Sequence, residues 1–314
     1  MKITILGSGE YGLALANSFL DKEINQVMVW GKFEEEVLNL SQKYLSIRFT
    51  TDLGLAIDKS DLIVVAIPVA FLEETMIKLK EVYNNQDILI ASKGIDINNH
   101  CFAYEIIFKY LKNAPIGVIS GGSFARDMNN KKVLGLTLAT NVYSIKEKVR
   151  MGFESNFIKV QYTDDVVGVS VCGAIKNVMA IGFGLLDGAE YPPSSRFLFL
   201  TEAIYEIRSL ICALGGNKDT VMTYAGIDDI AMTCTSNESR NYTLGMMLGE
   251  NKSNEEIDDY KKNATIEGLG TSEAIYKLAK EKNISLPISS AIYKILYEND
   301  DISNLIKLLE KRES

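Results

Sequence analysis

From Lys2 onward, short apolar runs alternate with segments whose apolar positions recur every three or four residues. The runs Lys2–Leu6, Gln26–Trp30, Leu62–Ile67, Ile88–Ala91, Ile116–Ser120 and Leu134–Ala139 have the length and near-continuous hydrophobicity of strands covered on both faces. Helical periodicity fills Tyr11–Leu20, Phe33–Gln42, Phe71–Val82 and Cys101–Leu111. Such alternation predicts an α/β fold with an N-terminal Rossmann-type, mostly parallel sheet. A last strand-like run, Phe157–Gln161, leads into the turn-prone Tyr162-Thr163-Asp164-Asp165. Beyond it the pattern is helical, at Val166–Leu186, Phe197–Ala213, Thr271–Glu281 and Ile288–Tyr297. Ser253-Asn254-Glu255-Glu256 has capping-box spacing and opens a further, charged helix. The expected division is a Rossmann domain over 1–164 and an all-helical domain over 165–314.

Val166–Leu186 contains one charge, Lys176, together with four glycines, a serine and an asparagine. A central lysine costs about 2.5–3.5 kcal/mol on membrane-insertion scales. The segment therefore reads as a helix buried in protein, and no membrane association is expected. The N-terminus runs straight into a strand-like segment, with no signal-peptide pattern. Cys101, Cys172, Cys212 and Cys234 show no C-x-x-C spacing and read as reduced thiols of a cytoplasmic protein.

The 314 residues carry 33 Lys+Arg against 41 Asp+Glu, a net charge of −8, and a single histidine, His100. With no basic excess to neutralise phosphates, general nucleic-acid binding is not expected. Imidazole-based metal sites need two or three histidines, so no metal is expected. A Ser-His-Asp or Cys-His device would have to rest on His100 alone. If protons are moved, something other than histidine moves them. His100 itself, expected at a helix start, should be dispensable.

Gly7-Ser8-Gly9-Glu10-Tyr11-Gly12 follows the first strand and opens the first helix, the context of a dinucleotide-binding turn. Gly7 permits the turn, Gly9 lets backbone N–H groups approach a pyrophosphate, and Gly12 lets helix and strand pack closely. The second strand ends in Trp30-Gly31-Lys32, without the carboxylate that would bind ribose hydroxyls. Lys32 either meets a 2′-phosphate or is a solvated lysine before Glu34-Glu35-Glu36, a run that would itself repel phosphate. On the missing acid, NADP is slightly favoured over NAD.

Lysines are almost never fully buried without a partner. Lys176 therefore either snorkels at a helix edge or faces a cleft, near an anion or a reacting oxygen. Asn177 beside it is a second donor to the same oxygen or an interior polar contact. Ser92-Lys93-Gly94 and Gly121-Gly122-Ser123-Phe124-Ala125 both follow strands, at the carboxyl edge where α/β sheets bind ligands. Each is a ligand loop or an ordinary turn. Gly226–Cys234, with Asp229 and Thr233, leads into Ser236–Asn241, with Arg240 as a planar fork for phosphate or carboxylate. The bland alternative for that stretch is a solvated inter-helix loop.

Taken together these motifs resemble the bacterial NAD(P)-dependent sn-glycerol-3-phosphate dehydrogenases over nearly the full length. Seven stand in the family's order: Gly7–Gly12, Ser92-Lys93-Gly94, Gly121–Ala125, Gly173-Ala174-Ile175-Lys176-Asn177-Val178, Gly226–Cys234, Ser239-Arg240-Asn241 and Glu267-Gly268. The resemblance implies reversible reduction of dihydroxyacetone phosphate with NAD(P)H, supplying glycerophospholipid synthesis. It implies that Lys176 is the proton donor and acceptor, with Lys93 and Asp229 beside it in the catalytic set. It places Lys93, Gly121, Ser123, Asn177, Asp229, Thr233, Ser239, Arg240 and Asn241 with the small phosphorylated substrate. It places Gly7, Gly9, Glu10, Tyr11, Gly12, Lys32, Lys93, Ala125, Arg240, Thr265 and Glu267 with the cofactor. A homodimer is a further family-level expectation.

The chain departs from the family pattern at Gly122 (usually Pro), at Phe33 (often Arg), in Tyr191–Arg196 and at Glu202 (often Arg). Two other readings follow from these departures and from the motifs. One is a related Rossmann-plus-helical reductase acting on another phosphorylated or hydroxy-acid substrate. The other is a non-catalytic nucleotide-binding regulatory protein.

Overall fold

The apolar runs of the first half pair side by side in one sheet. The computed structural model of the chain describes residues 1–310. Its first part contains β1 (Lys2–Leu6), α1 (Glu10–Leu20), β2 (Gln26–Trp30), α2 (Glu34–Lys43), β3 (Arg48–Thr50), α3 (Leu53–Ile57), β4 (Leu62–Val65), α4 (Leu72–Lys80), β5 (Asp87–Ile90) and α5 (Ala103–Tyr110). It continues with β6 (Ile116–Ser120), α6 (Ala125–Asn129), β7 (Leu134–Ala139), α7 (Tyr143–Gly152) and β8 (Ile158–Thr163). There follow α8 (Val166–Gly188), α9 (Pro193–Ala213), α10 (Asp229–Thr235), α11 (Arg240–Gly249), α12 (Asn254–Asn263), α13 (Glu267–Lys282), α14 (Pro287–Tyr297) and α15 (Ser303–Glu310). Two compact units result: Met1–Lys93 with Phe102–Val169, and Gly94–Cys101 with the chain from Ser170 onward.

In the first unit the strand order is β3-β2-β1-β4-β5-β6-β7-β8. Every neighbouring pair is parallel except β6–β7. Leu6 lies between Trp30 and Val65, and Val65 lies opposite Ile90. The carboxyl ends of β1, β2, β4 and β5 therefore share one edge, and Gly7–Gly12, Gly31-Lys32 and Ser92-Lys93 all leave from it. The chain winds one way from β1 to β2 and β3 and the other way from β1 to β4. That reversal is the switch point at which open α/β sheets bind ligands. The near-continuous apolarity of the strands is explained by their burial: Ile3, Ile5, Leu62–Val65 and Ile88–Ile90 are without exposure. Strand β3 escapes the sequence pattern because it is a three-residue edge strand, exposed at Arg48.

In the second unit α8 is buried on nearly all sides. It is long and apolar enough to cross a membrane, yet 83% of its most apolar stretch lies inside the protein, so it is a core helix. Its glycines have a packing reason. A methyl group on Gly184 would stand 2.2 Å from the Tyr242 carbonyl oxygen of α11, and one on Gly188 2.2 Å from that of Met246. Reciprocally, a methyl on Gly245 would stand 2.2 Å from the Ile181 oxygen and one on Gly249 2.3 Å from that of Leu185. Helices α8 and α11 thus touch backbone to backbone.

The atypical segment before α9 is structural. Pro193 occupies the first turn, where its missing N–H costs nothing. Arg196 forms an ion pair with Asp187 of α8, whose other carboxylate oxygen accepts a hydrogen bond from the Tyr242 hydroxyl at 2.5 Å. Glu202 is exposed on α9.

Glu206 on the same helix is 6% exposed. Its carboxyl accepts from the backbone N–H of Ile288 (2.6 Å) and Ser289 (2.9 Å) and from the Ser289 hydroxyl (2.6 Å). Helix α14 has no side-chain cap of its own, so Glu206 supplies one from α9. Burial pushes this carboxyl above its ordinary pKa, and the Ser289 and Ile288 donors oppose the rise. Glu206→Ala removes the acceptor of three buried donors, and a loss of about 3 kcal/mol in unfolding free energy is expected, by the cost of hydrogen bonds to charged groups. Urea denaturation measures it; an unchanged midpoint would refute the capping role.

Two expectations change. Gly226–Asn241 is not an open inter-helix loop: Tyr224–Asp228 forms a π turn, and α10 and α11 follow. The turn is tight, because a methyl on Gly226 would stand 2.0 Å from the Val221 oxygen. His100 is not at a helix start. It sits in a left-handed turn (φ 53°) three residues before α5, with Nδ1 2.9 Å from the Glu281 carboxylate of α13.

Candidate active site

In the first unit the turn after β1 has the shape its glycines suggest. Gly7 has φ 124°, and a side chain there would strike the Ala66 carbonyl oxygen at 2.5 Å. Gly12 faces the Gly7 oxygen, 2.2 Å from where a Cβ would stand. Both glycines are thus required by the protein's own packing. Gly9 differs, because a Cβ there would meet nothing within 4 Å. Gly9 caps α1 with no side-chain hydrogen bond, leaving the first N–H groups of the helix without an intrahelical acceptor. A pyrophosphate fits that open, donor-lined turn.

Lys93 and the Gly121–Ser123 loop come together beside this turn. The Lys93 ammonium donates to the Gly121 carbonyl oxygen at 3.0 Å and lies 5.8 Å from the centre of the Tyr11 ring. Ser123 Oγ is 3.2 Å from both the Tyr11 hydroxyl and the Gly121 oxygen. Four candidates, from two loops and the first turn of α1, thereby share one cluster. Ala125 opens the short α6 directly after it, and Glu10 is exposed at the start of α1. Lys32 follows the end of β2, where Glu74 of α4 pairs with it at 2.8 Å.

In the second unit Lys176 lies midway along α8 and is 8% exposed. It does not snorkel: its ammonium donates to Asp229 Oδ1, and Asp229 is wholly buried. Thr233, one turn further along α10, donates from Oγ1 to the Asp229 carbonyl oxygen at 2.6 Å and lies 3.3 Å from Oδ1. The π turn carries Asp229 inward to the start of α10. Cys234 beside the pair stays a thiol, because burial pushes its pKa up.

Asn177 points into a second network. Its amide donates to Glu267 Oε2 at 3.1 Å and its carbonyl oxygen accepts from the Asn241 amide at 3.1 Å. Asn241 Oδ1 in turn accepts from the Gly268 N–H at 2.8 Å. The network joins α8, α11 and the first turn of α13. Gly268, present in the Glu267-Gly268 motif but given no role there, is also a member: only a glycine fits, with Asn241 Oδ1 2.5 Å from the position of a Cβ. Ser239 caps α11, accepting from the Tyr242 N–H at 3.2 Å. That cap sets Arg240 as the first helical residue, exposed, with its carbonyl oxygen 3.2 Å from the Tyr260 hydroxyl. Thr265 is exposed in the link before α13.

Each unit thus holds an organised set of ionic and amide groups. A dinucleotide-binding turn stands in one, and a buried lysine–carboxylate pair in the other. Among the described residues no group of His, Cys, Asp and Glu side chains is placed to hold a metal ion.

Known proteins resemble this chain along nearly its whole length. Residues 2–145 match the family model for the N-terminus of NAD-dependent glycerol-3-phosphate dehydrogenase, and residues 165–307 match that for its C-terminus. Glycerol-3-phosphate dehydrogenase [NAD(P)+] of Staphylococcus saprophyticus is 30% identical, over 99% of this chain and 98% of the relative. The Staphylococcus aureus (strain USA300) protein of the same name is 32% identical over the same shares. The crystal structure of glycerol-3-phosphate dehydrogenase from Coxiella burnetii superposes with a TM-score of 0.91 at 26% identity, covering 99% of each chain. The chain belongs to the family of NAD(P)-dependent glycerol-3-phosphate dehydrogenases.

Proposed function

We propose that Lys176 is the acid and base of the chain's reaction, held in place by Asp229. The reaction is that of the family, the interconversion of dihydroxyacetone phosphate and sn-glycerol 3-phosphate with NAD(P)H. The observation that carries the assignment is the buried ion pair between Lys176 and Asp229.

The reduced nicotinamide, when bound, supplies the hydride to the carbonyl carbon. The ketone oxygen then gains negative charge and needs a proton. Lys176 is suited to both needs: its ammonium stabilises the developing alkoxide and donates a proton from Nζ. In the reverse direction the neutral amine takes the proton of the secondary alcohol. Asp229 keeps the side chain aimed, and Thr233 keeps Asp229 aimed. Asn177 and Asn241, held by each other and by Glu267 and Gly268, present amides of fixed orientation to substrate oxygens. Arg240 is the planar donor for phosphate, placed by the Ser239 cap.

In the first unit Gly7, Gly9, Glu10, Tyr11 and Gly12 form the dinucleotide turn, with Lys32 and Ala125 on the cofactor side. Thr265 and Glu267 belong to the same cofactor set in the second unit. Lys93, Gly121 and Ser123 contribute local positive charge and donors for substrate, within an acidic protein. The same reading places the enzyme in the cytoplasm as a homodimer, feeding glycerophospholipid synthesis.

A direct assay tests the proposal. Dihydroxyacetone phosphate added to enzyme and either reduced cofactor should consume the nicotinamide absorbance at several pH values. Turnover of another keto substrate but not this one would favour a sister reductase. Nucleotide binding with no turnover of any candidate would favour a regulatory protein.

A further inference from the structure

In a Rossmann fold the tip of β2 meets the adenosine ribose; an acid there suits its hydroxyls, and a cation accommodates a 2′-phosphate. Here the tip is Trp30-Gly31-Lys32-Phe33, which carries a cation and no acid. The fold nevertheless brings a carboxylate to it from 42 residues away. Glu74, near the start of α4, places Oε2 2.8 Å from Lys32 Nζ and Oε1 2.8 Å from Lys78 Nζ. Lys32 also lies 5.7 Å from the centre of the Phe71 ring, just upstream in the same connection. Its ammonium is therefore already occupied by two groups, Phe71 just before α4 and Glu74 in its first turn. The two lysines hold Glu74 near a pKa of about 2, so its charge is present throughout the neutral range. Adjacent in sequence, the first turn of α2 adds Glu34, Glu35 and Glu36. Around the tip, two ammonium groups stand against four carboxylates.

We propose that Glu74 sets the cofactor preference of this chain, neutralising Lys32 and biasing the β2 tip toward NADH over NADPH. The proposal rests on the reading of the first unit as a nicotinamide-dinucleotide site, and it reverses the lean toward NADP that the missing acid suggests. As a surface ion pair the contact contributes little to stability. Its effect is on the ligand. A 2′-phosphate dianion must displace Glu74 from Lys32 or lie beside an uncompensated carboxylate. A ribose hydroxyl carries no charge and meets neither cost.

Calorimetric titration of the full chain with NADH and NADPH, without substrate, tests this. The wild type should bind NADH more tightly. Glu74→Gln should tighten NADPH by about tenfold, the scale of removing one charge a few ångströms from another in water-like surroundings, and leave NADH within about twofold. The gain should shrink at high salt and vanish in Glu74→Gln/Lys32→Gln, since it acts through Lys32. Tighter NADPH than NADH binding by the wild type would overturn the proposal, as would a Glu74→Gln variant whose cofactor ratio is unchanged. If the wild type bound neither nucleotide, the dinucleotide reading itself would fall with it.

Discussion

Lys176→Ala is expected to lower kcat by about 10²–10⁴-fold, the range spanned by general acid–base catalysis. The loss should fall on kcat rather than on cofactor affinity, because the dinucleotide turn belongs to the other unit. Steady-state rates with dihydroxyacetone phosphate, beside calorimetric cofactor titration, measure both. Wild-type turnover in this variant would remove Lys176 from the chemistry. The variant also leaves Asp229 buried without its ammonium, so lower stability will accompany lower activity. The double variant Lys176→Met/Asp229→Asn removes both charges and separates the two effects. Its stability should recover toward wild type while its turnover stays low.

Asp229→Ala is expected to cost about 3–5 kcal/mol of unfolding free energy, the penalty for stranding one member of a buried ion pair. Asp229 is wholly buried and Lys176 nearly so, so water cannot replace the lost partner without opening the core. Urea denaturation reads the loss as a shift in midpoint at unchanged slope. Turnover should fall too, since the ammonium loses the group that aims it. Thr233→Val is the gentler companion, because it removes one hydrogen bond to Asp229 and keeps the pair. A destabilisation for Asp229→Ala below about 1 kcal/mol, the range of exposed pairs, would mean that the pair is hydrated.

Lys176 was conspicuous in the sequence because an isolated charge in a long apolar helix demands a partner. Its partner, Asp229, was signalled by the family motif and not by any local hydrophobic pattern. Asp229 sits in a polar stretch with no periodicity, and it is buried only because a π turn tucks the start of α10 inward. The strands of the sheet were legible because burial on both faces writes near-continuous apolar runs. Strand β3 left no such mark. The glycines of the first turn announced themselves by spacing, whereas the Asn177–Asn241–Glu267 network did not. Its members are 64 and 90 residues apart, and nothing local to any of them requires the others. Lys32 and Glu74 are a sharper case. Glu74 and Lys78 are a visible i,i+4 pair, but the long-range contact that changes the meaning of Lys32 appears only once β2 and α4 are folded.

The glycine contact between α8 and α11 bears on how such an enzyme can diversify. Where two helices meet through carbonyl oxygens and Cα atoms, no rotamer is available to absorb an error. Gly184 lies eight residues from Lys176, about 12 Å along the helix at ~1.5 Å per residue. Four glycines thus act as a ruler that fixes how far the lysine of one helix stands from the arginine and asparagine of the other. Side chains lining the site are free to be exchanged, and substrate preference can drift, without the spacing being re-established each time. Insertions, deletions and added methyl groups along that seam have no such freedom, so diversification is channelled into the chemistry and away from the register.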